Sequence, residues 1–217
     1  MDETPSPATP EPAGAACGWF GKIACLGDFA SRRLPPECAQ AWDDWLSAGV
    51  ARSREQLGAG WLEAYLSAPV WRWLQAPDTE AGTWWSGVWM PSVDQVGRYF
   101  PLVLLRAEPG PPVVAAQWAQ LEQDLDLFAQ CALQSLSPEG TLDRFDVQVQ
   151  ALPPARAQTL TQADDKGLLA WVLAHQAEAL QGHSLWWTAA ADGHPVSAQL
   201  QVRWPPAGDF KRLLALP

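Results

Sequence analysis

Apolar residues recur along this chain with two spacings, and each spacing predicts a different element. Ala39, Trp42, Leu46 and Val50 repeat every three or four positions, which puts them on one face of a helix. Pro35-Pro36 sets its start, since a first helical turn has no hydrogen bond to lose at proline. Gly58 and Gly60 interrupt the pattern, and residues 61–66 suit a further turn or two. Val114, Trp118, Leu121, Leu125, Phe128 and Ala132 form the most regular apolar stripe and predict a second long helix. Leu168, Leu169, Val172 and Leu173 predict a third, ending near Gly182. Pro205-Pro206 opens a short terminal helix carrying Phe210, Leu213 and Leu214.

The strand pattern is different. Residues 19–24 and 70–74 are short and aromatic, and residues 83–93 are longer. Residues 99–107 are apolar almost throughout, as a strand buried on both faces must be. Asp94 to Gly97 closes the last two into a hairpin, with Gly97 supplying a positive φ. Residues 184–189 and 196–202 predict two more strands around an Asp192-Gly193 turn. Residues 145–152 alternate weakly and fit either strand or coil. Strands cluster in hairpins and long helices separate the clusters. This order predicts an α/β domain of α+β character: a mainly antiparallel central sheet flanked by helices on both faces.

Composition narrows the possibilities. Residues 1–16 are rich in proline, alanine and acid and predict a disordered tail, leaving residues 17–217 as one folded domain. The formal charge of −10 argues against nucleic acid and anionic membrane, whose phosphates it repels. Over the whole chain it favours a basic surface on a protein partner. Cys17, Cys25, Cys38 and Cys131 lack paired C-x-x-C spacing and read as free buried thiols. No secretory signal and no apolar run long enough to span a bilayer is visible, so a soluble cytoplasmic protein is expected.

Chemistry-bearing motifs are few. Asp94 and Arg98 lie in one turn, where Arg98 bridges Asp94 or Asp28 to fix it, or lines a partner-facing surface together with Ser92 and Asp28. Asp28 is expected to cap a turn by accepting backbone N–H bonds, and Phe29 to anchor that loop in the core. Fourteen tryptophans could form an exposed binding platform, but aromatic stripes usually belong to a core. His175, His183 and His194 are scattered, without metal-ligand spacing. Gly21-Lys22 has neither the glycine loop before it nor the hydroxyl after it that a phosphate cradle needs. No nucleophile elbow or dinucleotide fingerprint occurs, and no cofactor is expected.

Several ordered segments together resemble the TagF family, also called ImpM, of bacterial type VI secretion. They are Gly-Trp-Phe-Gly-Lys at 18–22, Gly27-Asp28-Phe29, Leu34-Pro35, Trp42-Asp43-Asp44-Trp45-Leu46 and residues 61–65. Pro69-Val70-Trp71-Arg72, the block from Met90-Pro91 through Gly97 to Pro101-Leu102, Ser184-Leu185-Trp186-Trp187-Thr188, and Pro205-Pro206 with Phe210 complete the match. It departs from relatives at Ile23-Ala24-Cys25-Leu26, where they tend to carry a proline. The resemblance implies a longin-like α/β domain and a non-catalytic, cytoplasmic repressor of secretion acting after translation. The implied partner is the system's forkhead-associated scaffold protein, with other secretion regulators as further candidates. Asp28, Arg32, Ser92, Asp94 and Arg98 are the expected partner-binding residues; Gly21, Gly27, Phe29, Pro91, Gly97, Pro101, Trp186 and Trp187 are the expected structural ones. Two other readings compete: an aromatic-lined domain binding a small ligand or glycan, and a hydrolase using Asp28, Asp94 and Arg98.

Overall fold

The computed structural model describes residues 16–78, 82–112, 115–155, 180–189 and 197–214. Val114, the helix expected through Leu168 and Leu173, the Asp192-Gly193 turn and nearly all of the expected tail lie outside these residues.

Seven strands form one sheet: β1 (Gly18–Gly21), β2 (Ala30–Arg32), β3 (Trp71–Gln75), β4 (Trp84–Met90), β5 (Leu102–Glu108), β6 (His183–Trp187) and β7 (Ala198–Val202). Their order is β2-β1-β5-β4-β3-β6-β7. Every adjacent pair is antiparallel. Helices cover both faces, which is why the central strands are apolar without alternation: residues 71–74 and 102–105 are all buried.

One face is covered by α1 (Pro36–Leu57), α2 (Trp61–Leu66) and the C-terminal α5 (Lys211–Leu214). Pro36 opens α1 as expected, and Trp42, Leu46 and Val50 are buried from it. They meet Trp71, Trp73, Trp89, Val103 and Leu105 of the sheet, together with Tyr65, Phe210 and Leu213. Two indoles that reach the C-terminal segment find backbone acceptors there. Trp71 Nε1 donates to the Leu213 carbonyl at 2.8 Å, and Trp45 Nε1 to the Pro205 carbonyl at 2.7 Å. These bonds tie the C-terminal segment to the sheet and to α1. Gly49 is the close-approach point, because a Cβ there would stand 2.3 Å from the Phe210 ring.

The opposite face carries α3 (Ala115–Gln134) and α4 (Leu142–Gln150). Leu125, Phe128 and Ala132 pack on Leu74, Val88, Met90 and Leu104, joined by Phe145 and Val149. Here ion pairs cross from strand to helix. Arg106 on β5 meets Asp124 on α3 at 2.8 Å, besides Glu108 on its own strand at 2.7 Å, and Arg72 on β3 meets Asp126 on α3 at 2.7 Å. Arg33, just beyond β2, grips Asp146 on α4 with two bonds of 2.8 and 2.9 Å.

Two local expectations need correction. Residues 145–152 are neither strand nor coil over most of their length. Thr141 caps α4 by accepting from Arg144 N at 3.2 Å, and Phe145 and Val149, four apart, both turn inward. The first strand stops at Gly21, short of residue 24. Gly21 has a φ of 135°, and the Pro101 carbonyl lies so close that a Cβ would meet it at 2.1 Å. Only glycine takes that backbone and that approach together.

Gly49→Ala is expected to destabilise the protein by about 1–3 kcal/mol through overpacking against Phe210. Urea unfolding read by tryptophan fluorescence measures it. The same loss in a Phe210→Ala background would show that the clash is not the cause.

Candidate functional site

The sheet positions a turn and a loop beside each other at one end of β4, β5 and β1. Val93 and Tyr99 form an isolated antiparallel bridge, and residues 94–98 close it. Asp94 N donates to the Arg98 carbonyl at 3.1 Å, and Gly97, with a φ of 82°, donates to the Asp94 carbonyl at 3.0 Å. The hairpin expected from Asp94 and Gly97 is present.

Asp94 is the hub of this region. Its Oδ1 accepts from Val96 N at 3.0 Å and Arg98 N at 2.8 Å. Its Oδ2 accepts from Lys22 Nζ at 2.8 Å and Arg98 Nε at 2.7 Å. The Asp94 side chain is 0% exposed and that of Lys22 5%, whereas that of Arg98 is 55% exposed. Arg98 continues to the Gly27 carbonyl through Nη2, and Gln95 N donates to the Leu26 carbonyl at 2.8 Å. Ser92 Oγ donates to the Lys22 carbonyl at 2.8 Å, and the Tyr65 hydroxyl donates to the Ser92 carbonyl at 3.0 Å. One carboxylate and its neighbours thus join the loop after β1, the β4–β5 turn and α2.

Burial alone pushes the Asp94 carboxyl up. The Lys22 and Arg98 hydrogen bonds and the Lys22 charge overcome that and hold it well below the usual carboxylate range. A carboxylate so fully occupied is a poor general base. Burial likewise favours the protonated form of two interior thiols, pushing Cys38 up to about 12 and Cys131 up to about 11.

Beside the hub opens a groove of about 580 Å³, with Lys22, Arg54, Arg98, Phe29, Tyr99 and Phe100 in its walls. Phe29 is 45% exposed, so it is not the core anchor expected of it. Its ring stands edge-on to Phe100 at 4.7 Å, with Lys22 Nζ 4.7 Å from its centroid. No atom lies within 4 Å of where a Gly27 Cβ would stand, so the loop before Phe29 runs along the surface, and the Phe29 ring is covered on one side only, by Phe20 and Phe100. Asp28 is exposed and accepts from Phe29 N at 2.8 Å, a local turn bond, while Arg98 chooses Asp94 over it.

The five expected partner-facing residues therefore separate. Arg98 opens into the groove, Asp28 and Arg32 are exposed, and Ser92 and Asp94 are interior. Arg32 sits on edge strand β2, and its side chain bonds only the Ser31 carbonyl among the described residues. Pro91 and Pro101 flank the hairpin, and the Pro101 carbonyl accepts from Lys22 N at 3.4 Å. Trp186 is buried among the tryptophans of the α1 face, and Trp187 packs on the other face. No described tryptophan is exposed, so none forms an open platform. Sequence reading missed Arg54 and Tyr99 as neighbours. The one signal for Arg54 was its place four residues after Val50, at the end of the α1 apolar stripe.

Asp94→Asn is expected to destabilise the protein by about 3–5 kcal/mol, because Lys22 stays buried without a counter-charge. The folded-state carboxyl titrates below its unfolded value. Its stabilising contribution is complete above about pH 4 and is lost as pH falls further. The acid limb of a stability–pH profile should accordingly flatten in the variant. Asp146, held down to about 2 by Arg33 against the opposing effect of burial, keeps its own share of that limb. An unchanged acid limb would place the responsible carboxylates elsewhere.

Comparison with known proteins bears on what this site serves. Residues 18–152 match the family TagF_N, described as the TagF N-terminal domain, type VI secretion system-associated. Among solved structures, the chain is similar to PA0076 from Pseudomonas aeruginosa PAO1, whose crystal structure has 2.05 Å resolution. The two share 33% identity over 92% of this chain and 94% of that one, with a TM-score of 0.75. Comparison with curated proteins gives no match. The family match takes in more than half of the chain, including every charged and aromatic residue named in the groove, and so the chain belongs to the TagF family of type VI secretion-associated proteins.

Proposed function

We propose that this protein is a non-catalytic regulator that represses type VI secretion after translation by holding a forkhead-associated scaffold protein of the system. The observation that carries this reading is family membership over residues 18–152, the segment that builds the Asp94 hub and the groove beside it. The chemistry of the region supports adhesion over turnover. Asp94 is saturated with donors and depressed in pKa, Asp28 bonds its own turn, and the buried thiols stay protonated at neutral pH. The glycan-binding alternative needs a row of open indoles, and the described ones are buried or half-buried. Among the described residues no helix is long and apolar enough to cross a membrane. A cytoplasmic site of action belongs to the same proposal.

Immobilised protein is expected to retain the scaffold from a solution of purified secretion components. Excess protein in cells should lower release of the system's substrates into the medium. A folded protein that retains no scaffold and leaves release unchanged would defeat this reading.

A further inference from the structure

The open groove beside the Asp94 hub is basic in a protein of formal charge −10. Lys22, Asp94 and Arg98 together leave one positive charge there, and Arg54 adds a second. Arg54 makes no ion pair and no side-chain hydrogen bond with any described residue. Its guanidinium lies 4.2 Å over the Trp61 ring, which fixes its plane and leaves the N–H edges free to donate. The Arg98 guanidinium is held in place by Asp94 and Gly27 while remaining half open to solvent. Between these cations run aromatic walls, with Phe29 exposed and Tyr99 half-buried.

Two orders of ligand chemistry are therefore presented side by side: fork-shaped donors for carboxylates and ring faces for an apolar side chain. We propose that this groove is the docking site for an acidic segment of a protein partner, one that carries an aromatic or aliphatic residue next to its carboxylates. The inference rests on the regulatory reading above and assigns its contact surface. It also locates complementarity where net charge points the other way. Overall the chain favours a basic partner, but the groove favours an acidic one because a local field within about one Debye length, about 8 Å at physiological salt, outweighs distant surface charge.

The test uses a fluorescein-labelled peptide of alternating glutamate and phenylalanine, with a glutamine-for-glutamate version as control, read by fluorescence anisotropy. The acidic peptide is expected to bind about tenfold or more tighter than the control, the size of one charge-assisted hydrogen bond, and to weaken as salt rises. Arg54→Gln and Arg98→Gln should each reduce its affinity about tenfold. Arg144→Gln, on the exposed side of α4, should leave it unchanged. Arg98 also holds the hub, so its variant is first checked for folding by thermal denaturation; Arg54, on the surface of α1, carries the decision if it fails. Equal affinity for both peptides, or an equal effect of Arg144→Gln, would overturn the proposal. Tenfold tighter peptide binding after deletion of residues 1–15 would make the chain's own acidic tail the occupant and overturn the partner assignment. Full scaffold retention by Arg54→Gln would overturn the groove and leave the regulatory reading standing. Peptide binding by a protein that retains no scaffold would support the groove and remove the scaffold reading.

Discussion

Helices on both faces close the central strands of the sheet to water, and this constraint governs the interior of the molecule. Every polar atom carried by the central strands must find its partner inside the protein. The two faces meet that demand differently. On the α1 face, the sheet contributes tryptophans, which supply apolar area and one N–H each. Trp71 reaches Leu213, and Trp186 reaches the Ser184 hydroxyl at 2.8 Å. On the α3 face, the sheet contributes arginines, and Arg72 and Arg106 draw carboxylates from one helix. The first arrangement recruits the C-terminal segment into the core; the second fixes how α3 crosses the strands. Trp73 and Trp89 are exceptions, with indole N–H groups that find no acceptor among the described residues. Their rings are nonetheless engaged, Trp73 on Trp186 and Trp89 edge-on to Phe210.

The same constraint produces the hub. Once Asp94 is interior, its charge requires counter-charge and donors, and Lys22, Arg98 and two backbone N–H groups provide them. This arrangement stiffens a turn that would otherwise be an ordinary exposed hairpin. It also leaves Arg98 with one edge committed and one edge free. Rigid presentation of a few cations and rings is what a docking surface needs, because a pre-ordered surface loses less entropy on binding. In the proposed docking role the hub acts through the geometry it enforces, because its own carboxylate is sealed inside.

Seen this way, family membership and physical chemistry point in one direction. The TagF-matching segment holds a well-packed interior, buried protonated thiols, a saturated acid and a groove that mixes charge with exposed aromatic surface. The proposed regulatory role asks for nothing beyond these features.

Much of the architecture could be read from local pattern. The stripes on α1 and α3, the hairpin at residues 94–98 and the buried run of β5 follow from periodicities of 3.6 and 2 and from turn chemistry, which depend only on near neighbours in the chain. The family resemblance was equally legible, since it lay in ordered motifs. Residues 145–152 could not be assigned, because α4 is specified by a cap at Thr141 outside the window and by packing on α3. Nor could the exposure of charged side chains be read. Asp94 and Arg98 are four residues apart, yet one is sealed and the other half open. Lys22, Arg54 and Arg98 line one groove across long stretches of chain. The sequence by itself determined the long helices α1 and α3, the central strands, their apolar faces and the kinship; the tertiary structure alone decided which charges face inward, because burial is set by neighbours that the chain brings from far away.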